Sequence, residues 1–200
     1  MALPPGLRLR VATPGDAPFI QRAHEESIRG VPGHLYSRAE LESWASGLKA
    51  EGYVRAMNQT GEIFLIADIL NGGGALAGFC SYESNRIHGL YIHPEWMGRG
   101  LASAMLGRAE AAVLAIGTER IYLTASRIGR PLYERRGYVV CRQRDWKTRG
   151  GLIIEGFDME KRVAFDSRAA VGRLAGPGAT PAIRSRARRS SPSRRDGDEC

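Results

Sequence analysis

Two glycines flank an arginine in the run Met97-Gly98-Arg99-Gly100-Leu101-Ala102. Glycine lets the backbone turn its N–H groups outward and approach a ligand closely. Apolar residues then recur at helical spacing as far as Ile116, which predicts an amphipathic helix that begins at Leu101. The free N–H groups and the positive dipole of a helix N-terminus attract phosphate. The run is therefore a candidate phosphate site, although a plain turn between a strand and a helix could carry the same residues.

The elements that would position this run form a mixed α/β pattern. Apolar stretches and turn residues predict strands over about residues 7–11, 62–67, 75–82, 86–92, 121–125, 138–146 and 152–161. Amphipathic spacing and capping residues predict helices over about residues 17–28, after Ser37, after Leu101 and around Pro131. Consecutive strands followed by a strand–helix–strand crossover favour one mixed sheet with helices on both faces.

Two blocks of the sequence match a known pattern when they are taken together. The first is the 97–102 run, which follows an apolar strand and Pro94 and fits Gln/Arg-x-x-Gly-x-Gly/Ala, with Met97 at the position of Gln or Arg. The second comprises residues 123–126 (Leu-Thr-Ala-Ser) and 131–138 (Pro-Leu-Tyr-Glu-Arg-Arg-Gly-Tyr), similar to Ala-Ser followed by Phe-Tyr-Glu-x-x-Gly-Phe. Over roughly residues 7–163 the chain resembles GNAT-type N-acetyltransferases, whose first block binds the pyrophosphate of acetyl-CoA. Met97 removes one side chain from the motif but leaves its backbone cradle.

The resemblance implies a fold class and an acyl donor. The fold class is α/β (α+β) in the GNAT arrangement, a mixed, mostly antiparallel sheet of about seven strands, flanked by helices and splayed between strands 4 and 5. Acetyl-CoA lies in that split. Separately, the sequence has no His, Cys and Asp cluster at ligand spacing, so we expect no metal site. The implied cofactor contacts are Arg127 and the backbone of three strand residues, Leu90, Tyr91 and Ile92, together with the 97–102 run. Leu90 is the residue whose N–H polarises the thioester carbonyl.

Acyl transfer from a thioester to an amine also needs a neutral amine and a proton for the departing thiolate. By the resemblance, Tyr133 is the general acid, because a tyrosine with a pKa of about 10 is protonated at neutral pH. The family often has a Glu base on the fourth or fifth strand, but the equivalent positions here hold Arg86 and Tyr122. The remaining candidate bases are Glu83, His88, His93 and Glu95. We favour His88, because it shares a strand face with Leu90, with a surface or cleft role as the simpler alternative.

The acceptor wall is implied by the same resemblance, because the family places its variable substrate surface on the first two helices and the loop between them. Tyr36 in that loop and Glu83 at the end of a strand are the candidate acceptor-binding residues. His24 and Glu25 are further polar residues of the region, whereas Trp44 is more typical of a core position. The acceptor itself, a small-molecule or peptide amine, stays open.

Composition indicates how the chain is divided. Its 200 residues, 43% hydrophobic and 25% charged, suit one globular domain, which we place at residues 1–163. Residues 164–200 hold eight Arg, no Lys and four acidic residues, which places half of the net charge of +8 in this stretch. Large aliphatic residues are so sparse beyond residue 176 that we predict a disordered basic tail. We expect nucleic-acid contact only through this tail, and a solvated tail without a partner is the simpler alternative.

Further expectations concern location and function class. We see no basic and apolar leader and no apolar run near the roughly 20 residues of a membrane span. The three cysteines, an odd and sparse set, do not form the disulfide framework of a secreted domain, which favours the cytoplasm. The leading hypothesis is an acetyl-CoA-dependent N-acetyltransferase, either monomeric or homodimeric. The alternatives are a non-catalytic acyl-CoA sensor and a nucleic-acid-associated protein that acts through its tail.

Overall fold

Seven strands form one sheet in the computed structural model, which describes residues 3–163. The strands are β1 (Leu7–Val11), β2 (Ile63–Ile69), β3 (Leu76–Glu83), β4 (Arg86–Ile92), β5 (Arg120–Ser126), β6 (Val139–Lys147) and β7 (Ile153–Arg162). Their order is β1-β2-β3-β4-β5-β7-β6, and each neighbouring pair is antiparallel except the parallel pair β4 and β5. The predicted mixed, mostly antiparallel sheet is confirmed. The predicted tail over residues 164–200 lies outside the described residues.

Helices pack on both faces of this sheet. They are α1 (Ala17–Arg29), α2 (Arg38–Ala45), α3 (Ala50–Arg55), α4 (Leu101–Leu114) and α5 (Arg130–Arg135). The first three share one apolar cluster with Phe79, whereas α4 and α5 share another with Cys80, a free and buried cysteine. Phe79 and Cys80 are adjacent on β3, and successive strand residues point to opposite faces. The two clusters therefore lie on opposite sides of the sheet.

Local sequence signals account for α2 but not for α3. Ser37 Oγ accepts a hydrogen bond from Glu40 N at 3.3 Å, and Glu40 Oε2 accepts one from Ser37 N at 2.7 Å. This capping box begins α2 where the sequence predicts it. By contrast, α3 and the π-helical turn after it, Ala56–Thr60, contain a single buried side chain, Tyr53. A segment with one buried residue has no apolar periodicity, so the sequence does not predict these two elements.

The long helix α4 begins where predicted but ends early. Its buried side chains follow the predicted stripe and are Leu101, Met105, Leu106, Ala109 and Val113, together with Glu110. The prediction that Ile116 completes the stripe is wrong, because the helix ends at Leu114 and Ile116 is 68% exposed. Within residues 3–163, no helix is both long enough and apolar enough to cross a membrane.

Strands β4 and β5 separate soon after they meet. Only Arg86 with Tyr122 and Ile87 with Leu123 are in register between the two strands. Beyond these pairs, β4 continues to Ile92 with β3 as its strand partner. The predicted splay between strands 4 and 5 is confirmed, and it opens a cleft beside the second half of β4.

Candidate active site

A cavity of about 470 Å³ occupies the cleft between β4 and β5. One part is lined by β4 from Ile87 to Ile92, by the start of α4 and the loop before it, and by α5. The other part is lined by residues of α1, α2 and β6. A single cavity therefore joins the predicted phosphate loop to a second region that could hold another molecule.

A β-bulge shapes the strand that crosses this cavity. Ser81 pairs with Gly89 and Tyr82 pairs with Ile87, so His88 is the extra residue on β4. Gly89 is required next to the bulge, because a Cβ there would lie 2.8 Å from a ring atom of Tyr91.

The backbone of β4 directs two N–H groups into the cleft. His93 N donates to Ala77 O of β3, at 2.9 Å. N–H directions alternate along a strand, so those of Leu90 and Ile92 point away from β3. On that side β5 has already diverged, and both residues line the cavity. Two donors are thus held by the sheet and face the open cleft, as an oxyanion site requires.

The glycine loop before α4 supplies a second set of donors. Gly98 and Gly100 adopt φ values of 72° and 81°, in the left-handed region that favours glycine. The first helical bond runs from Ala104 N to Gly100 O, so the N–H groups of residues 101–103 have no acceptor within the helix. The first turn of α4 contains no acidic side chain. These features fit a bound phosphate or pyrophosphate.

Two arginines lie close to this loop in different ways. Arg99 places its guanidinium 5.1 Å from the centre of the Trp96 ring, and its side chain does not line the cavity. Arg135, at the end of α5, does line the cavity. The sequence singles out Arg99 because of its glycine neighbours, whereas Arg135 reaches the site only through the packing of α5 and carries no local signal.

Tyr133 lies in the cavity wall at the start of the cleft. The side chain is 6% exposed, and burial raises its pKa above the ordinary value for tyrosine. Its ring meets that of Tyr138 edge-to-face with centroids 5.6 Å apart. The hydroxyl is therefore protonated at neutral pH and is available as a proton donor.

His88 and Glu83 form a polar pair at the edge of the cavity. His88 Nε2 lies 3.6 Å from Glu83 Oε2, and His88 lines the cavity whereas Glu83 does not. Another pair, His93 Nε2 and Glu26 Oε2 at 3.4 Å, lies outside the cavity lining.

Like Arg99 and Glu83, the predicted contacts Tyr36 and Arg127 are not brought to the cavity. Tyr36 is 2% exposed, and its hydroxyl accepts a hydrogen bond from Arg127 N at 2.8 Å. The Arg127 side chain donates to Glu155 Oε2 at 2.7 Å and to Leu35 O at 2.9 Å. Neither Tyr36 nor Arg127 lines the cavity. Their geometry gives them a structural role, since together they fasten the loop after α1 to the end of β5.

His24 is a core residue rather than part of an acceptor surface. It is 7% exposed, and its Nδ1 lies 2.9 Å from the Tyr53 hydroxyl. Its ring packs against Tyr91 with centroids 3.8 Å apart. Burial lowers the pKa of His24 to about 3, so the folded protein keeps this ring neutral.

Within residues 3–163, no three potential metal ligands are grouped together.

The neutral His24 predicts an acid-sensitive fold. The unfolded chain binds a proton as the pH falls through 6.5, the ordinary histidine pKa, but the folded chain binds none until about 3. The free energy of unfolding should therefore fall by up to about 1.4 kcal/mol per pH unit below that point. Urea titrations between about pH 7 and pH 5 measure this slope. The slope should be shallower in His24→Gln and unchanged in the control His34→Gln, an exposed histidine. Equal slopes in wild type and His24→Gln would contradict a neutral buried ring.

The family model described as "Acetyltransferase (GNAT) domain" matches residues 34–163. Acetyltransferase ECA0875 of Pectobacterium atrosepticum is 32% identical over 72 residues, which cover 34% of this chain and 50% of that protein. The match thus spans about half the length of that relative.

Two solved structures show the same fold. The GCN5-related N-acetyltransferase "Aminotransferase, Class-II" from Rhodopseudomonas palustris superposes with a TM-score of 0.70 at 26% identity, over 82% of this chain and 99% of that chain. The putative acetyltransferase YncA from Salmonella typhimurium, solved with acetyl-CoA, gives a TM-score of 0.58 at 17% identity, over 88% of this chain and 99% of that chain.

Proposed function

The chain belongs to the GNAT acetyltransferase family and is an acetyl-CoA-dependent acyltransferase, and we propose that its acceptor is an amine bound in the cavity between β4 and β5. One observation carries the proposal. The N–H groups of Leu90 and Ile92, the free N–H groups at the start of α4 and the Tyr133 side chain all border one cavity. Acetyl-CoA supplies an activated thioester to this cavity.

The residues that would hold the donor fit its chemistry. Its pyrophosphate needs several donors and no nearby carboxylate, and the first turn of α4 provides both conditions. The N–H groups of Leu90 and Ile92 fit the carbonyl and amide oxygens of the acyl arm. Met97 contributes an apolar side chain to the cavity wall, and the backbone cradle does not depend on it.

We assign proton transfer to two side chains that line the cavity, His88 and Tyr133. His88 accepts a proton from the amine nitrogen as that nitrogen bonds to the carbonyl carbon. Tyr133 gives its proton to the thiolate sulfur as the carbon–sulfur bond breaks. Glu83 Oε2 lies 3.6 Å from His88 Nε2, so Glu83 is a positioning residue for His88 in this scheme.

Replacing His88 by glutamine tests the assignment of the base. We expect kcat/KM for an amine to fall roughly 10-fold or more, because general bases contribute about 10²–10⁴-fold and water can replace part of the effect. His93→Gln is the matched control, because it alters a similar His–Glu pair outside the cavity lining. Equal losses in both variants would contradict a catalytic role for His88.

An acceptor screen tests the proposed function itself. The protein is incubated with acetyl-CoA and a panel of amines, amino acids and peptides with free N-termini, and release of the CoA thiol is followed. Thiol release that depends on an amine supports acetyl transfer. Tight acetyl-CoA binding without amine-dependent release would contradict the proposal and favour the sensor alternative.

Because the donor is a cytosolic metabolite, we also propose a cytoplasmic location.

A further inference from the structure

The second region of the cavity is walled by aromatic rings. Trp44 of α2 and Trp146 of β6 meet edge-to-face with ring centroids 5.6 Å apart, and Trp44 meets Tyr91 at 6.4 Å. All three residues line the cavity, together with Ile28 of α1 and Ile128 after β5. Aromatic and branched apolar walls favour a flat apolar group, which they bury from water.

Two sets of contacts hold Trp146 in place, one on β7 and one between the β6–β7 turn and α2. A Cβ at Gly156 would lie 2.8 Å and 2.9 Å from two atoms of the indole ring, so only glycine allows the ring to lie flat on β7. The turn between β6 and β7 is fastened to α2 through Ser43. Ser43 O accepts from Gly150 N at 2.9 Å, and the Ser43 and Thr148 hydroxyls lie 2.6 Å apart. The wall is therefore preorganised for binding.

The charge of the cavity excludes one class of acceptor. Across residues 3–163, the cavity lining contains no aspartate or glutamate. Besides Tyr91 and Tyr133, its titratable side chains are His88 and Arg135. A polyamine or a lysine-rich peptide would bring ammonium groups into a cavity without a counter-ion, which is unfavourable. A monoamine whose other atoms are apolar has a single ammonium group. Once that group is deprotonated for the reaction, the acceptor brings no charge into the cavity.

Ser27 offers a polar contact in this apolar wall. It is 4% exposed, lines the cavity from α1, and its Oγ has no hydrogen-bond partner within the described chain. A buried hydroxyl without a partner is unfavourable, and a ligand group that bonds to it removes that cost. Ser27 therefore suits a hydroxyl or a similar polar substituent on the acceptor.

We propose that the acceptor is a primary amine carried on a flat aromatic body, which packs against Trp44 and Trp146 while a polar substituent bonds to Ser27. This inference rests on the proposed function, because it names the substrate class of the same site. Aromatic rings also attract cations. The test must therefore distinguish an acceptor with an aromatic body from one that binds the rings through a second ammonium group.

Calorimetry on the CoA-loaded full chain compares three probes, 2-phenylethylamine, its 4-hydroxy derivative and 1,4-diaminobutane. We expect both aromatic amines to bind at least 10-fold more tightly than the diamine. Trp146→Leu should weaken the aromatic amines about 10-fold. It should change acetyl-CoA affinity less than 2-fold, because Trp146 belongs to β6 and not to the glycine loop or β4. Phe19→Leu is the matched control, because Phe19 is 40% exposed and outside the cavity lining.

Ser27→Ala tests the polar contact separately. The wild type should prefer the 4-hydroxy derivative over 2-phenylethylamine by about 2- to 10-fold, the size of one hydrogen bond. The variant should lose this preference and keep its stability, because the hydroxyl has no protein partner to lose. A preference for 1,4-diaminobutane, or aromatic binding unaffected by Trp146→Leu, would overturn the inference and leave the proposed function intact. Selective aromatic binding without acetyl transfer would contradict the proposed function and support the assigned site.

Discussion

Replacing Tyr133 by phenylalanine should lower kcat roughly 10²- to 10⁴-fold and leave acetyl-CoA affinity nearly unchanged. The variant removes one hydroxyl and keeps the ring that packs against Tyr138. Loss of a proton donor acts mainly in the transition state, so kcat should fall while binding persists. Burial raises the pKa of Tyr133, so the hydroxyl is protonated throughout the neutral range and the ratio of wild-type to variant rates should not vary there. Steady-state kinetics with a verified acceptor and calorimetry with acetyl-CoA measure the two effects.

Tyr138→Phe is the matched control for this experiment. Tyr138 belongs to the same aromatic pair and has a buried hydroxyl without a hydrogen-bond partner, but it does not line the cavity. Its loss should leave kcat within about 3-fold of the wild type. A Tyr133→Phe effect as small as that of Tyr138→Phe would make Tyr133 a packing residue, with water as the source of the proton.

Replacing Ser103 by glutamate should weaken acetyl-CoA binding about 30-fold or more while the fold becomes no less stable. Ser103 lines the cavity in the first turn of α4, where no acidic residue is present. A carboxylate there repels the pyrophosphate by roughly 2–4 kcal/mol at short range. The same carboxylate interacts favourably with the helix dipole, which contributes about 0.3–1 kcal/mol to stability. The opposite signs of the two effects separate lost binding from damaged structure.

Ser103→Gln is the neutral control, because it adds a similar volume without the charge. Its acetyl-CoA affinity should stay within about 3-fold of the wild type, and added salt should narrow the gap between the two variants. Equal affinities of Ser103→Glu and Ser103→Gln would show that the start of α4 does not hold the pyrophosphate. Thermal unfolding of both variants completes the comparison.

Much of the fold is predictable because its signals are local. The capping pair Ser37 and Glu40 begins α2, and β4 has the bounds that the sequence predicts. The left-handed Gly98 and Gly100 are the residues that the backbone of a phosphate loop requires. In each case the residues that determine the structure lie within a few positions of one another, so a short window of sequence contains the whole signal.

The remaining parts depend on contacts between distant residues. Ser43 and Thr148 are 105 positions apart, yet their hydroxyls are in contact and join α2 to the turn that follows Trp146. Ser27 reaches the cavity because α1 packs on the sheet, and nothing near it in sequence marks it. Conversely, Tyr36 has the residue type of a ligand contact, but the sheet buries it beneath Arg127. Residue type and loop position identify candidates, and only the packing decides which of them reach the cavity.

Single-turnover transfer of a labelled acetyl group tests the central claim most directly. Protein in excess over acetyl-CoA labelled in the acetyl group is mixed with 2-phenylethylamine or with the best acceptor from the screen, and the products are separated. We predict that the labelled acetyl group appears on the amine nitrogen and that the amount of acetylated amine equals the amount of CoA thiol released. Tyr133→Phe should slow both processes by the same factor. Thiol release with the label in free acetate, or no release from tightly bound acetyl-CoA, would contradict amine acetylation in this cavity.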